Sequence, residues 1–129
     1  MTDCFSDSAR RHRRDAQQLA AAHRFQNAGH LLGFAAECLA KEILERAGIT
    51  LDKSSGLREH FPKLGERIRR EGHTRVMVML APIVRKWAFL DGWTAETRYE
   101  ADIIPADAQT RFNSWQADVD SLFKASGIP

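Results

Sequence analysis

The feature that most constrains this chain is a stretch near its centre in which apolar residues recur at helical spacing. The recurring residues, at steps of three and four, are Ala28, Leu31, Leu32, Ala35, Cys38, Leu39 and Ile43. This spacing predicts an α-helix over 28–47. Gly48 follows at a position where helices commonly end. Because apolar residues cover most of its circumference, we predict that this helix is the central one.

Two shorter patterns flank the central helix. An alanine-rich stripe, preceded by the capping residues Ser6 to Ser8, predicts a first helix over 6–24. Phe25–Asn27 should interrupt the helix there, and Asn27 should cap the central helix. After the central helix and a polar loop, Pro62 suits a first helical turn and opens a short basic helix over 62–71.

The C-terminal half is predicted to be helical as well. Residues 74–90 are ambiguous, because Val76–Leu80 has the composition of a strand. A lone strand is not stable, so we predict a helix that kinks or restarts at Pro82. Residues 91–104 should form a loop. Pro105 then opens a last helix, whose apolar face comprises Ala108, Phe112, Trp115, Val119, Leu122 and Phe123.

Together these segments predict an all-α fold, an up-and-down antiparallel bundle of four to five helices that residues 1–129 form as one domain. The predicted core comprises Leu31, Leu32, Ala35, Leu39, Ile43, Phe112, Trp115, Val119 and Phe123. With 43% hydrophobic residues, the chain has material for such a core.

Composition and the N-terminal sequence indicate the cellular compartment and the kinds of site to expect. No apolar run is long enough to span a bilayer, and the N-terminus lacks the pattern of a signal peptide. We therefore expect a cytoplasmic protein without a membrane segment, in which Cys4 and Cys38 are reduced thiols. No spacing typical of a zinc site or of a phosphate-binding glycine loop is present, so neither a metal nor a cofactor is expected.

Three segments resemble the HEPN family of small prokaryotic helical proteins. The first, on the central helix, is Ala28-Gly-His-Leu-Leu-Gly-Phe-Ala-Ala-Glu-Cys-Leu-Ala-Lys41. The second, after the polar loop, is Glu59-His-Phe-Pro-Lys-Leu64, and the third, before the last helix, is Trp93-Thr-Ala-Glu-Thr-Arg-Tyr99. The segments occur in the family's order over residues 10–125. The resemblance implies a helical bundle, often a homodimer, in defence or toxin–antitoxin systems. Some members cut RNA, and others bind nucleotides or accompany a nucleotidyltransferase.

The RNA-cutting members carry an arginine followed by a histidine after four to six residues. Such a histidine can move the 2′-hydroxyl proton while the arginine stabilises charge on the phosphorane. Two pairs match, Arg24 with His30 and Arg67 with His73. About one or two matches are expected by chance in a chain of this composition, so the pairs carry little information. Whether the chain is an enzyme is left open.

The polar residues of the central helix are stronger candidates for a site. Glu37 and Lys41 lie one turn apart, and His30 lies two turns before Glu37, so all three share a face. They form either an internal salt bridge beside a packing histidine or a polar cleft for a phosphate-bearing ligand.

Two further segments supply ligand-binding candidates. Arg98 and Tyr99 offer a guanidinium for phosphate and a ring for base stacking. Alternatively, Tyr99 plugs the end of the bundle while Arg98 pairs with a carboxylate. His60 either joins the site or caps the third helix.

The sequence thus predicts a HEPN-type module that binds RNA, a nucleotide or a partner nucleotidyltransferase. A metal-independent endoribonuclease toxin is one alternative, and a structural dimerisation subunit is another. The alanine-rich first helix and the apolar central helix offer more apolar surface than a thin bundle covers, which favours a two-fold homodimer.

Overall fold

A computed structural model describes residues 4–51, 59–71 and 77–128 of the chain. Its α-helices are α1 (Phe5–Ala21), α2 (Phe25–Arg46), α3 (Lys63–Glu71), α4 (Ala81–Arg85) and α5 (Pro105–Ser126). A 3₁₀ helix, Ala95–Tyr99, lies between α4 and α5. The described residues contain no strand, so the predicted all-α bundle is confirmed. No helix in these three ranges is long and apolar enough to cross a membrane.

Helix α2 is the centre of the bundle, as its periodicity predicts. It packs against α1, α5 and the 3₁₀ helix. The pairing of Phe34 with His12 and of Lys41 with Phe5 shows that α1 runs antiparallel to α2. Phe25 contacts Phe112 in α5. Gly29, one turn further along α2, contacts Trp115, which lies further along α5. The two helices therefore run in the same direction, as the second and fourth helices of an up-and-down bundle do.

The break between α1 and α2 occurs earlier than predicted. Helix α1 ends at Ala21, and α2 already begins at Phe25, so Phe25–Asn27 is helical and Asn27 is not a cap. His23 adopts a left-handed conformation with φ of 61°, and the Arg24 backbone N–H donates to the Leu19 carbonyl. This is the hydrogen-bonded helix end that glycine usually provides. The boundary was missed because a histidine takes the position of the glycine.

The segment predicted as one kinked helix over 74–90 is mostly not helical. Within its described part, only Ala81–Arg85 is an α-helix, with Pro82 in its first turn, and turns precede and follow it. One cause is Leu90, which has a φ of 54°. Its N–H donates to the buried Asp118 carboxylate of α5 at 2.8 Å. This tertiary hydrogen bond supports a turn that local sequence does not indicate.

The predicted core is nearly complete. Eight of the nine predicted residues are buried, and Leu31 is half-buried against the same cluster. Trp93 is the largest fully buried side chain, and it fits only because Gly33 has no side chain. A Cβ at Gly33 would lie 1.8 Å from Trp93 Cε2. The indole therefore packs directly on the backbone of α2, where its Nε1 donates to the His30 carbonyl at 3.0 Å.

Candidate functional site

The candidate site lies along one side of α2, which we call the imidazole face. Helix α2 contributes His30, Phe34, Glu37 and Lys41, which succeed each other at three- and four-residue steps and so share a side of the helix. Neighbouring elements contribute His12 of α1, His60 before α3 and Thr97 of the 3₁₀ helix. The structure thus brings together four predicted site residues, His30, Glu37, Lys41 and His60.

His30 is held in one tautomer by its neighbours. Its Nδ1 lies 2.8 Å from the Thr97 hydroxyl oxygen, and that hydroxyl donates its own hydrogen to the Thr94 carbonyl. The hydroxyl can therefore only accept from His30, so Nδ1 carries the proton and Nε2 keeps a lone pair. Burial, and then the nearby positive charge of Arg98, lower the pKa of His30.

Glu37 is a buried carboxylate with an uneven set of partners. Its side chain is 5% exposed, and Lys41 Nζ and His60 Nδ1 both donate to the same oxygen, Oε1, at 2.7 Å each. The second oxygen, Oε2, is buried and has no hydrogen-bond partner among the described residues. A buried acceptor without a donor costs free energy. The predicted Glu37–Lys41 pair is therefore real, but it does not fully satisfy the carboxylate.

The pair of His60 and Glu37 has the arrangement of a proton-transfer site. The carboxylate binds Nδ1 and thereby leaves the other ring nitrogen, Nε2, as the acceptor of a neutral imidazole. The His60 side chain is 56% exposed, so solvent and ligands can reach it. His60 thus joins the site rather than acting only as a cap of α3.

Phe34 forms the floor between the imidazoles. Its ring centroid lies 4.9 Å from that of His30 and 6.1 Å from that of His60. On its other sides it contacts Trp93 at 5.2 Å and His12 at 6.0 Å. The face therefore combines an apolar floor with three imidazoles.

Two further groups near the face have shifted pKa values. Burial and the charge of Arg11 lower the pKa of His12, although Asp15 and Glu37 oppose the shift. Burial, reinforced by Glu37, raises the pKa of the Cys38 thiol to about 11. Cys38 is therefore a protonated, half-buried thiol, and Cys4 is exposed; the two are not joined by a disulfide.

Arg98 and Tyr99 lie at the His30 end of the face and are both exposed. The Arg98 guanidinium carbon lies 4.8 Å from the Tyr99 ring centroid. No described residue forms an ion pair or a hydrogen bond with the Arg98 side chain. Tyr99 is 76% exposed, so it does not plug the end of the bundle. Of the two interpretations, the structure favours the one in which this pair is available to a ligand.

Of the two predicted arginine–histidine pairs, the structure describes both members of only the first, and it places them on different parts of the molecule. Arg24 immediately precedes α2 and lines a cavity of about 420 Å³ beside the start of α5, whereas His30 belongs to the imidazole face. Arg67 lies on α3, and its predicted partner His73 lies outside the described residues. Within the described ranges, no cluster of three or more histidine, cysteine or acidic residues could hold a metal ion.

Sequence analysis missed four contributors to the face, namely His12, Phe34, Trp93 and Thr97. Phe34 and Trp93 belong to segments that resemble the HEPN family, and Thr97 lies beside the predicted Arg98, so their positions in those segments were a usable signal. His12 carried no such signal, because it lies within an arginine cluster typical of a solvated helix surface.

Comparison with other proteins adds no assignment. No protein-family model matches the chain, and neither the curated proteins nor the solved structures gave a significant match.

Proposed function

We propose that this chain is a HEPN-type module of a prokaryotic defence or toxin–antitoxin system that binds the phosphates of RNA or of a nucleotide at the imidazole face. The observation that carries the proposal is Arg98, an exposed guanidinium without a carboxylate partner, beside the exposed ring of Tyr99. An arginine fork binds phosphate through two parallel hydrogen bonds. The tyrosine ring offers a surface on which a base can stack.

The rest of the face agrees with an anionic ligand. The lowered pKa values of His30 and His12 keep both imidazoles neutral in the free protein at neutral pH, and the charge of a bound phosphate would favour their protonation, after which they can donate hydrogen bonds to its oxygens. Lys41 lies eleven residues along α2 from His30, a distance of about 16 Å at the rise of an α-helix, and its ion pair with Glu37 leaves that end of the face close to neutral rather than negative. The carboxylate that α2 contributes to the face, Glu37, is buried and bound to Lys41 and His60, so it presents little negative charge to a ligand.

Binding of a fluorescent single-stranded RNA, with ATP as competitor, tests the proposal. We expect Arg98→Lys to weaken binding about tenfold, because lysine keeps the charge but loses the fork, and one charge-assisted bond contributes about 1–3 kcal/mol. Tyr99→Ala should weaken binding to RNA by a similar factor through loss of stacking, about 1–3 kcal/mol per base.

Arg85→Lys is the matched control, because Arg85 is also exposed but lies on α4, which packs against α3 and α5. Its binding should equal that of the wild type. If Arg98→Lys instead lowers the melting temperature sharply and leaves binding intact, Arg98 is structural and the proposal is wrong.

Cleavage of the bound RNA is a second candidate function, and the His60–Glu37 pair favours it. A histidine oriented by a buried carboxylate, with its Nε2 accessible, can accept the proton of a nucleophilic hydroxyl. Incubation of RNA with the protein in the presence of a chelator tests this activity. His60→Gln should abolish any cleavage and weaken binding far less than Arg98→Lys does, whereas cleavage that survives this change excludes His60 as the base.

Homodimerisation and a partner nucleotidyltransferase remain predictions. The apolar side chains of α2 are buried or half-buried within the single chain, so the argument from uncovered surface on that helix loses its basis. Light scattering at micromolar concentration distinguishes a dimer from a monomer of 14.6 kDa.

A further inference from the structure

A second concave site lies on another part of the molecule, between α3 and the turns that follow α4. It is a cavity of about 230 Å³. Four aromatic residues contribute to its wall, namely Phe61, Trp87, Phe89 and Trp93. Three of these rings are buried, whereas Trp87 is 80% exposed and forms the outer wall. The cavity therefore has an aromatic interior that is open on the side of Trp87.

The charges around the cavity are mainly negative. Glu66 and Asp91 line it. Among the described residues, neither side chain forms an ion pair or a hydrogen bond, although Glu66 is close enough to Arg69 for its charge to oppose the lowering of that guanidinium's pKa by burial. Arg69 is the one cation among the described residues of the wall, and its hydrogen bonds fix its position. Its Nε donates to the Ile83 carbonyl at 2.9 Å, and its Nη2 lies within 3.3 Å of two further carbonyls.

Arg69 also forms a cation–π contact with the aromatic wall. Its guanidinium carbon lies 5.1 Å from the centroid of the Trp87 ring. This is within the range of a cation–π contact, which is strongest on tryptophan. Trp87 remains largely exposed despite this contact, so part of its surface is available to a second cation.

Size restricts the ligand further. Sites for drug-sized molecules commonly measure about 300–1,000 Å³, so this cavity takes a small headgroup or a single side chain rather than a whole nucleotide. The described wall holds two carboxylates and one arginine, and this excess of negative charge disfavours a phosphate or carboxylate ligand. Aromatic walls and negative charge together are the chemistry that binds substituted ammonium groups.

We propose that this cavity binds a small organic cation, an alkylammonium or alkylguanidinium group, against Trp87 with Glu66 and Asp91 as counter-charges. This goes beyond the proposed function, because the cavity is separate from the imidazole face except for Trp93, which borders both. The cation comes either from a free amine or from a basic side chain of a peptide.

Titration of the full chain with choline tests the proposal, followed through the indole N–H signal of Trp87 and the amides of Gly65 and Gly92. We expect a saturable shift of these signals. The uncharged analogue of choline, with carbon in place of the quaternary nitrogen, has the same shape and should bind at least about tenfold more weakly.

Variants test the two kinds of wall. Trp87→Ala should weaken choline binding about fivefold, since a cation–π contact contributes about 1 kcal/mol. This residue is exposed, so the fold should persist. Glu66→Gln combined with Asp91→Asn should weaken binding by a similar factor. Glu45→Gln, an exposed carboxylate on α2 that does not line the cavity, should have no effect.

A comparison of agmatine with a capped Gly-Arg-Gly peptide identifies the source of the cation. Tighter binding of agmatine assigns the site to a free amine, and equal or tighter binding of the peptide assigns it to a side chain. The proposal is overturned if the uncharged analogue binds as tightly as choline, if no saturable shift occurs at Trp87, or if the doubly neutralised variant binds choline as the wild type does.

Discussion

Two buried carboxylates in this bundle look alike by exposure and differ in their hydrogen bonds. Glu37 on α2 and Asp118 on α5 are 5% and 4% exposed, and each pairs with a lysine. Each oxygen of Asp118 accepts a hydrogen bond. Lys86 donates to Oδ1, and the Leu90 N–H donates to Oδ2. Glu37 receives Lys41 and His60 on the same oxygen, Oε1, and no residue in the described part of the chain donates to Oε2.

The difference makes Glu37, rather than Asp118, the candidate for a functional role. Asp118 fixes the left-handed turn at Leu90, and its hydrogen bonds are complete. Glu37 orients an exposed imidazole and retains an unfilled acceptor, which a packing role does not require. Burial of a charged residue is therefore not by itself evidence of a site, whereas incomplete pairing next to an accessible histidine is.

The largest expected effect comes from Gly33→Ala, which displaces Trp93 from its contacts with His30 and Phe34 on the imidazole face. The new Cβ would overlap the indole of Trp93, so the ring must leave its place and its hydrogen bond to the His30 carbonyl. Overpacking of this kind costs about 3 kcal/mol, or roughly 10 °C in melting temperature for a domain of this size. Gly29→Ala is the control, since its Cβ would lie 2.9 Å from Trp115. Its melting temperature should fall clearly less. Equal losses would show that Trp93 adapts.

Asp118→Ala should destabilise the fold without affecting ligand binding. It removes two charge-assisted hydrogen bonds and should lower the free energy of unfolding by about 2–3 kcal/mol, measured by urea denaturation. Asp120→Ala is the matched control, because Asp120 forms only an exposed ion pair with Arg13 and should cost less than about 1 kcal/mol. A loss of RNA binding in folded Asp118→Ala protein would contradict its structural role.

Glu37→Gln should have the opposite profile. The amide keeps the shape of the side chain but removes the counter-charge of Lys41, which costs about 1–2 kcal/mol. Imidazole nitrogen shifts should show that His60 loses its fixed tautomer, and any RNA cleavage should fall with it. Glu42→Gln breaks a similar pair with Arg46 on the same helix. It should change neither the tautomer of His60 nor any RNA cleavage. If both variants behave alike, Glu37 is as structural as Asp118.

A smaller effect concerns acid stability. The pKa of His30 is lowered in the folded chain from its ordinary value of 6.5, so the unfolded chain takes up the proton first as the pH falls. The stability that depends on neutral His30 is therefore complete above about pH 6.5 and is lost as the pH falls through the folded pKa. Thermal melts should decline from pH 7.5 to pH 5, and less so in His30→Gln. An unchanged decline in that variant would assign the effect to other groups, such as His12.

The smallest expected signal is a change in His30 itself on ligand binding. Arg98 helps to lower the pKa of His30, so a phosphate that neutralises Arg98 should raise it. Proton titration by NMR, with and without saturating ATP, measures this shift. The Arg98→Lys variant should show less of it, because it binds less ligand. A fall in the pKa of His30 on binding would contradict a phosphate at Arg98.

The fold could be predicted from the sequence because α2 and α5 carry their apolar residues at helical spacing over 22 residues each. The turns around His23 and Leu90 could not, because each depends on a left-handed residue that is not glycine. At Leu90 the support comes from Asp118, 28 residues away along the chain.

The candidate site was predictable along α2 but not across it. The helical repeat places His30, Glu37 and Lys41 on one side, and the family resemblance draws attention to His60 and Arg98. The contact of His12 with Phe34 depends on how α1 crosses α2, and the unpaired oxygen of Glu37 depends on which oxygen each donor reaches. Neither the crossing nor the choice of oxygen is encoded in residue spacing.

The contrast between the two thiols makes the chain suitable for selective chemical labelling without mutagenesis. Only a thiolate reacts readily with maleimides or iodoacetamides. At neutral pH, almost no Cys38 is in the thiolate form, because its pKa is about 11. Cys4 is exposed and immediately precedes Phe5, whose ring lies 6.0 Å from Lys41 Nζ. A fluorophore attached to Cys4 would therefore report from the Lys41 end of the imidazole face in otherwise unmodified protein.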